Sequence, residues 1–147
     1  MSVSSLHLPA TFRQQILAHL QTCLPEEGCG LIGGCAGQGQ QLLPIPNQLH
    51  SPTAFQMQAP EMIAALLSFE QNGLELLAIY HSHPTGPLWP SPRDVAAFAY
   101  PGVWTLIAAP TSTGWRIRAF QIRSTKIHPG KILWQNESTV RTRFVLL

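Results

Sequence analysis

The chain has 147 residues, of which 45% are hydrophobic and 11% are charged, and its formal net charge is +2 at pH 7. This length and composition predict one globular domain over residues 1–147 and exclude a disordered chain. The small charge argues against nucleic-acid binding. An uncharged apolar stretch at residues 95–115 is interrupted by Pro101 and Gly102, so we expect no membrane span there.

The cysteine pattern indicates a reducing environment. The chain has an odd number of cysteines and no Cys-x-x-Cys pair, which argues against a disulfide framework. The three cysteines are Cys23, Cys29 and Cys35. The first residues show no basic segment followed by an apolar core, so we expect no signal peptide. Together these features predict a cytoplasmic location.

Hydrophobic periodicity in the first part of the chain predicts one helix followed by strands. The helix covers about residues 9–21, where apolar side chains recur at helical spacing. A glycine-rich strand is expected at residues 28–34. A second strand is expected at residues 41–45, and Pro44 and Pro46 predict that it is irregular or near an edge of the sheet. We also expect a short strand at residues 54–57.

The middle of the chain predicts a helix, a strand and a second helix. The first of these helices covers residues 60–71 and is stopped by Gly73. An apolar run at residues 74–81 is typical of a buried central strand. A third helix of the chain is expected at residues 91–100.

The last third of the chain is predicted to be mainly strand. Residues 103–109 and 115–122 form the two arms of an expected hairpin. One or two further strands are expected over residues 127–147, with a turn at Pro129 and Gly130. The loose alternation of helices and strands predicts an α/β fold with a mixed sheet covered by helices.

Two histidines and an aspartate are the candidate metal ligands. His81 and His83 are one residue apart at the end of the predicted central strand, and alternate side chains of a strand point to one face. Asp94 follows at the start of the third helix. A catalytic zinc keeps three protein ligands and an open fourth position, and this set supplies two imidazoles and a carboxylate.

Each of these residues also has a purely structural interpretation. Ser91 as N-cap and Asp94 at the third helical position resemble a capping box, which alone would explain both. His81 and His83 could be two satisfied histidines at a strand end, because His-x-His pairs are common. A carboxylate held in the first turn by a cap can still bind a metal, so the two interpretations of Asp94 remain open.

A hydrolytic zinc site also needs a carboxylate that accepts a proton from water. Glu26 and Glu27 lie just before the glycine-rich strand, and Glu27 is nearer to it. The structural alternative is an acidic loop that leads into a strand. Glu27 is the first candidate for the base and Glu26 the second.

The chain resembles the JAMM (MPN+) zinc metalloproteases, in particular their compact prokaryotic stand-alone members. That family has a glutamate before a Cys-Gly strand, then His-Ser/Thr-His-Pro, and then Ser-x-x-Asp at a fixed distance. The resemblance extends over roughly residues 5–122. The matching segments here are Glu27-Gly28-Cys29-Gly30, His81-Ser82-His83-Pro84 and Ser91-Pro92-Arg93-Asp94.

The resemblance implies a curved mixed β-sheet flanked by helices in three layers, related to cytidine deaminases. It implies that His81, His83 and Asp94 bind one zinc ion per chain. Glu27 would deprotonate a water molecule and pass the proton to the leaving amine. Ser91 would donate a hydrogen bond to the oxyanion of the intermediate.

The resemblance also implies an enzyme, a zinc-dependent isopeptidase or peptidase. Its expected substrate is a ubiquitin-like or sulfur-carrier protein with a Gly-Gly tail, cut after that tail and recognised by strand addition. The apolar residues at the end of the chain suggest a docked tail or a homodimer interface. They are Phe144, Val145, Leu146 and Leu147.

Other functions remain open at this stage. A non-catalytic MPN scaffold that binds a protein partner would have the same fold, and a zinc amidase acting on a small peptide would have the same site. Cys29 is expected to be a small buried residue rather than a nucleophile. The deaminase signature, His-x-Glu with Pro-Cys-x-x-Cys, is missing, which disfavours deamination.

Overall fold

A computed structural model describes residues 5–136 of the chain. Its three helices are α1 (Ala10–Cys23), α2 (Ala59–Gln71) and α3 (Pro92–Ala97). The described strands are β1 (Ser5–Pro9), β2 (Cys29–Cys35), β3 (Gln38–Ile45), β4 (Glu75–Ser82), β5 (Trp104–Thr111), β6 (Gly114–Arg123) and β7 (Lys126–Gln135).

The strands form one mixed sheet in the order β1-β3-β2-β4-β5-β6-β7, and this sheet closes on itself. The mixed α/β fold is as predicted, but closure into a barrel differs from the curved open sheet that we expected. The difference comes from β1, which the hydrophobic pattern did not reveal. This strand pairs in parallel with β7 over its whole length and with β3 at a single position, His7 opposite Gln38.

The sheet is covered by a different helix on each face. Ile32 lies in a buried cluster with the α1 residues Ile16 and Leu20. Its neighbour Leu31 lies in a second cluster with Phe69 of α2. Because successive strand side chains point to opposite faces, the two clusters are the two sides of one sheet. Over residues 5–136 no helix has the length and hydropathy needed to cross a bilayer.

The predicted helices are present, and only the third differs clearly in length. It ends at Ala97, whereas we expected it to continue to residue 100. Phe98 is already extended, with a ψ of 124°. Tyr100 precedes Pro101, and the proline ring disfavours the helical conformation of the residue before it. The chain therefore leaves the helix before this dipeptide.

Two of the strand predictions are wrong. Residues 54–57 form no strand and contribute only an isolated bridge between Asn47 and Met57. The turn expected at Pro129 and Gly130 is absent, because β7 runs through them. At this point β7 changes partner: Gly130 is its last residue paired with β6, and Lys131 is its first paired with β1.

The other strand predictions are confirmed, with small shifts at their ends. Over the described residues the closed sheet has no free edge strand, but the part of β3 that contains Pro44 pairs only with β2, so the proline interrupts no second strand pairing. The last strand of the described chain is β7. The predictions for residues 137–147, including the apolar Phe144 to Leu147, fall outside the described residues.

Gly30 allows a close approach between β2 and an aromatic ring on β4. A Cβ atom at residue 30 would lie 2.3–2.4 Å from ring and hydroxyl atoms of Tyr80. The Tyr80 ring is buried, and its hydroxyl is 2.8 Å from Nδ1 of His19 on α1. The absence of a side chain at Gly30 thus lets one tyrosine link the central strand pair to a helix.

We expect Gly30→Ala to lower the free energy of unfolding by about 2–3 kcal/mol, because the new methyl group overpacks the buried ring of Tyr80. Gly37→Ala is the matched control. A Cβ there meets nothing within 4 Å, and only its left-handed φ of 76° opposes the change, at a cost of about 1 kcal/mol. Urea unfolding of both variants measures the difference. If both variants lost the same free energy of unfolding, the close approach of Tyr80 would not be what excludes a side chain at residue 30.

Candidate metal centre

The end of β4 places the two histidines beside each other. His81 is paired with Cys29 on β2 and with Ile107 on β5, so neighbouring strands fix its backbone on both sides. His83 lies just beyond the strand, and its N–H donates to the carbonyl of Ala108 at 2.9 Å. Both imidazoles are buried, and their Nε2 atoms are 3.1 Å apart.

Asp94 completes the cap of α3 and also faces the two imidazoles. The Ser91 hydroxyl accepts a hydrogen bond from the Asp94 N–H at 3.0 Å, and Oδ2 of Asp94 accepts from the Ser91 N–H at 2.8 Å, which completes the capping box. The same Oδ2 lies 3.1 Å from Nε2 of His81 and 3.0 Å from Nε2 of His83. The cap therefore aims this carboxylate at the two imidazoles.

The three convergent atoms fit a tetrahedral cation. Donor atoms around a zinc ion with bonds of about 2.0 Å lie roughly 3.3 Å apart, close to the 3.0–3.1 Å found here. Nδ1 of His83 is 2.8 Å from the carbonyl of Pro87, and a carbonyl can only accept, so this nitrogen carries a proton. In the neutral ring, Nε2 of His83 then offers a lone pair to the centre.

Glu27 brings a second carboxylate to the histidines. Its backbone is held at both ends, because its N–H donates to the carbonyl of Ser51 at 2.8 Å and its carbonyl accepts from Nδ2 of Asn47 at 3.0 Å. The side chain is buried, and one of its oxygens lies within 4.8 Å of ring nitrogens of His81 and His83. Glu27, His81 and His83 therefore form a preformed donor group.

One buried polar atom of this group supports the fit to a cation. Oε1 of Glu27 has no hydrogen-bond partner among the groups of residues 5–136. Burying such atoms without a partner is costly, and a bound ion or its ligands can offset that cost. On the other side of the His81 ring, Phe55 is stacked with its centroid at 4.5 Å.

Glu26, the second candidate for the base, points elsewhere. Its Oε2 is 3.4 Å from Nδ1 of His50, in an exposed contact. The neighbouring Glu27 side chain is only 4% exposed. Of these two carboxylates, the geometry therefore brings Glu27 to the histidines.

The environment changes the proton affinities of the four groups in different directions. Burial raises the pKa of Glu27 to about 7, although nearby His83 opposes this shift. Burial works against the charge of Asp94, but hydrogen bonds with His81 and His83 outweigh it and hold the pKa of this carboxyl below its usual value.

The two imidazoles differ from each other. Burial lowers the pKa of His81 in spite of its contact with Asp94. For His83, burial acts in the same direction, but hydrogen bonds with Asp94 and with the Pro87 carbonyl outweigh it and raise the pKa. The surroundings thus favour the neutral form of the His81 ring and the protonated form of the His83 ring.

Ser82 connects the strand that carries the histidines to the segment that carries Glu27. Its hydroxyl oxygen accepts from the Gly28 N–H at 2.9 Å, and its own N–H donates to the Gly28 carbonyl at 3.0 Å. Ser82 is fully buried. Since Gly28 follows Glu27 directly, these two bonds set the distance between the base candidate and the imidazoles.

A cleft of about 350 Å³ opens beside the centre. His81 and Asp94 form part of its wall, and Arg93 adds a cation. The remaining wall is mostly apolar, as is typical of ligand-binding clefts. Its apolar side chains include Phe55, Met57, Met62, Ile79, Phe98 and Tyr100.

Cys29 has the structural role that the sequence suggested. It is buried, and its thiol donates to the carbonyl of Ile45 at 3.3 Å. Burial raises the pKa of the thiol to about 12. A nucleophilic cysteine acts as the thiolate, so this environment disfavours nucleophilic catalysis by Cys29.

Sequence reasoning assigned no role to three residues that support the centre: Asn47, Phe55 and Pro87. Asn47 had a usable signal, because asparagine in a loop tends to hydrogen-bond nearby backbone groups, as its Oδ1 does with the Leu49 N–H. The role of Pro87 had none, since any residue supplies a carbonyl.

The chain matches the family model of prokaryotic homologues of the JAB domain over residues 9–123. A probable TtuB-protein conjugate cleaving protease from Thermus thermophilus is 43% identical over 91 residues, which are 61% of this chain and 61% of that protein. A desampylase from Pyrococcus furiosus is 33% identical over 72% of this chain and 76% of its own length. A CysO-cysteine peptidase from Mycobacterium tuberculosis is 25% identical over 82% and 85%.

Solved structures show the same fold. A protein from Desulfitobacterium hafniense has a TM-score of 0.81 at 28% identity and covers 90% of this chain and 94% of its own. A structure described as a JAMM metalloprotease-like zinc site in the proteasome and signalosome has a TM-score of 0.54 at 15% identity, with 87% and 97% covered. This more distant likeness concerns the fold alone.

We expect Ser82→Ala to lower the free energy of unfolding by about 1–3 kcal/mol, because it leaves the buried N–H of Gly28 without its acceptor. Ser68→Ala is the control: its hydroxyl accepts from Gln41 in a partly exposed contact that water can replace, so its loss should stay within about 0.5 kcal/mol. Urea unfolding measures both. A loss for Ser82→Ala no larger than the control would show that this hydroxyl does not hold the two segments.

Proposed function

The chain belongs to the family of prokaryotic homologues of the JAB domain, and from this membership we propose that it is a zinc-dependent isopeptidase or peptidase. The bond it hydrolyses follows the C-terminal tail of a ubiquitin-like or sulfur-carrier protein. The observation that carries the proposal is the buried convergence of Glu27 with His81 and His83, joined by Oδ2 of Asp94. The relatives named above are peptidases, which supports a hydrolytic reaction.

His81, His83 and Asp94 are the proposed ligands of one zinc ion per chain. The donor set of two imidazoles and one carboxylate is typical of catalytic zinc, and it leaves a fourth position for water or substrate. When bound, zinc would polarise the scissile carbonyl and lower the pKa of a water molecule to about 7.

Glu27 is the proposed general base and acid. Its carboxylate takes a proton from the attacking water and returns it to the nitrogen of the leaving amine, so the carbon–nitrogen bond breaks without releasing a free amide anion. The Ser91 hydroxyl oxygen accepts from the Asp94 N–H, which leaves its own proton free to donate. We assign that proton to the oxyanion formed at the substrate carbonyl.

The cleft beside His81 and Asp94 is the proposed path of the substrate tail. Its wall is largely apolar, and it includes the candidate ligands His81 and Asp94. A tail that ends in two glycines brings no side chain to the scissile bond and can follow a narrow path. Two relatives, a probable TtuB-protein conjugate cleaving protease and a CysO-cysteine peptidase, support a small carrier protein as the substrate class.

We expect Glu27→Gln to keep zinc but to lower the cleavage rate by about 10²–10⁴-fold, because the amide cannot accept the proton of water. The substrate is a small carrier protein ending in Gly-Gly, joined to the lysine side chain of a reporter protein. Glu26→Gln is the matched control and should cleave at a rate close to that of the unchanged protein. Zinc content is measured by plasma mass spectrometry.

Wild-type-like turnover by Glu27→Gln would show that the base is wrongly assigned. A chain that retains zinc poorly at micromolar concentration and cleaves no conjugate would instead be a protein-binding scaffold. Cleavage of short amide substrates alone would indicate a small-peptide amidase.

We expect Asp94→Asn to bind zinc at least about 10-fold more weakly while the protein stays folded. The asparagine oxygen can still accept from the Ser91 N–H, so the helix cap is kept, but the charge that faces His81 and His83 is lost. Glu61→Gln, an exposed acidic residue in the first turn of α2, is the control for charge removal. Isothermal titration with zinc measures both, and unchanged affinity in Asp94→Asn would leave Asp94 with a capping role alone.

A further inference from the structure

The segment between the two halves of the site, residues 84–90, is fixed to the sheet. Its Trp89 packs edge to face on Phe120 of β6, with ring centroids 5.1 Å apart and an interplanar angle of 76°. The guanidinium carbon of Arg118 lies 5.4 Å from the centroid of the Trp89 ring and 5.1 Å from that of Phe120. Two aromatic rings and one cation thus form a single contact, which we call the Trp89 anchor.

The Trp89 anchor lies on the face of the sheet that carries the candidate metal centre. His81 on β4 is paired with Ile107 on β5, and Ile107 is paired with Arg118 on β6. Residues that are directly opposite in paired strands project to the same face. Phe120 lies two residues beyond Arg118 and shares that face. Residues 84–90 therefore cross the sheet beside His81 before the chain enters α3.

The same segment supplies the hydrogen bond that orients His83. The Pro87 carbonyl accepts from Nδ1 of His83 at 2.8 Å. At the other side of this turn, the Gly86 N–H donates to the His83 carbonyl at 2.8 Å. Only Leu88 separates Pro87 from Trp89, so the position of the indole and the position of this carbonyl are linked through one residue of backbone.

We infer that Trp89 is a positioning residue for the metal centre, because its anchor on Phe120 and Arg118 holds the Pro87 carbonyl against the His83 ring. That carbonyl fixes the imidazole in the Nδ1–H form and turns Nε2 toward Asp94 and His81. Partners of this kind, one step away from a metal, typically change metal affinity by about 10–100-fold when they are lost. The inference rests on the proposed function, since it takes His83 to be a ligand.

Trp89 is a useful test residue because it is not part of the core. Its side chain is 39% exposed, so the protein keeps a large apolar surface in contact with water at this position. Leu133 on β7 is 41% exposed and lies on another part of the sheet. The two residues are matched in exposure, and only Trp89 is connected to His83.

We expect Trp89→Ala to weaken zinc binding by at least about 10-fold, because the Pro87 carbonyl is no longer held against His83. Trp89→Phe should stay within about 3-fold of the unchanged protein, since a phenyl ring can keep the edge-to-face contact with Phe120. Leu133→Ala should leave zinc affinity unchanged. Competition with a chromophoric zinc chelator measures all four proteins, after circular dichroism has confirmed that they are folded.

Arg118→Gln tests the same anchor without changing the segment. Removal of the cation should weaken zinc binding by roughly 2- to 5-fold, the factor expected for an exposed cation–π contact. This variant keeps the inference testable even if Trp89→Ala does not fold.

A spectroscopic measurement separates positioning from general stability. Long-range ¹H–¹⁵N spectra of the histidine rings, recorded without zinc at a pH where the His83 ring is neutral, should show a single Nδ1–H form of His83 in the unchanged protein and in Trp89→Phe, and a mixture of forms in Trp89→Ala. The inference is overturned if Trp89→Ala keeps both the zinc affinity and the ring form of the unchanged protein. Failure of the unchanged protein to bind zinc would overturn the proposed function itself.

Discussion

The pairing of β2 with β4 is the constraint on which the candidate site depends. Glu27 precedes β2, and His81 and His83 lie at the end of β4, so the distance between carboxylate and imidazoles is set by the register of these two strands. Two hydrogen bonds between Gly28 and Ser82 fix that register at the point where it matters. A shift by one residue would turn the imidazoles to the other face of the sheet, because strand side chains alternate.

The second constraint is that a single oxygen of Asp94 contacts both the start of α3 and the two imidazoles. One oxygen accepts the N-cap N–H of α3 and faces two imidazole nitrogens. The helix has only six residues and buries none of them fully, so its start is held by this cap more than by packing. The start of α3 and the geometry of the candidate ligands therefore depend on the same carboxylate. For this reason the capping interpretation and the metal-ligand interpretation of Asp94 are both compatible with the structure.

Much of the architecture could be predicted from the sequence because its signals are local. The apolar run before His81, the Ser91–Asp94 cap and the glycine-rich strand each produced the expected element. β1 was not predicted, because five residues with two buried leucines carry too little pattern to be recognised. Its strand structure depends on pairing with β7, more than a hundred residues away in the chain. The course of β7 through Pro129 and Gly130 has the same origin, since a change of pairing partner is a tertiary event that local turn propensity does not register.

The candidate site was also predicted only in part from the sequence. Spacing and residue type were enough to select His81, His83, Asp94 and Glu27, which the fold brings together. They did not reveal the groups that orient these side chains, because a backbone carbonyl such as that of Pro87 has no sequence signature.

Closure of the sheet through β1 has a consequence for how the protein behaves at high concentration. An open sheet presents two terminal strands whose unpaired amides can recruit another chain, and such strands are common starting points of aggregation. Here β1 pairs with β7 along its length and meets β3 at His7, so the two ends of the strand order are joined, and among residues 5–136 the proline-bearing part of β3 pairs only with β2. Pro44 has no N–H to offer at that point. The barrel thereby protects a chain of low charge, which has little electrostatic repulsion to keep its copies apart, from edge-to-edge association.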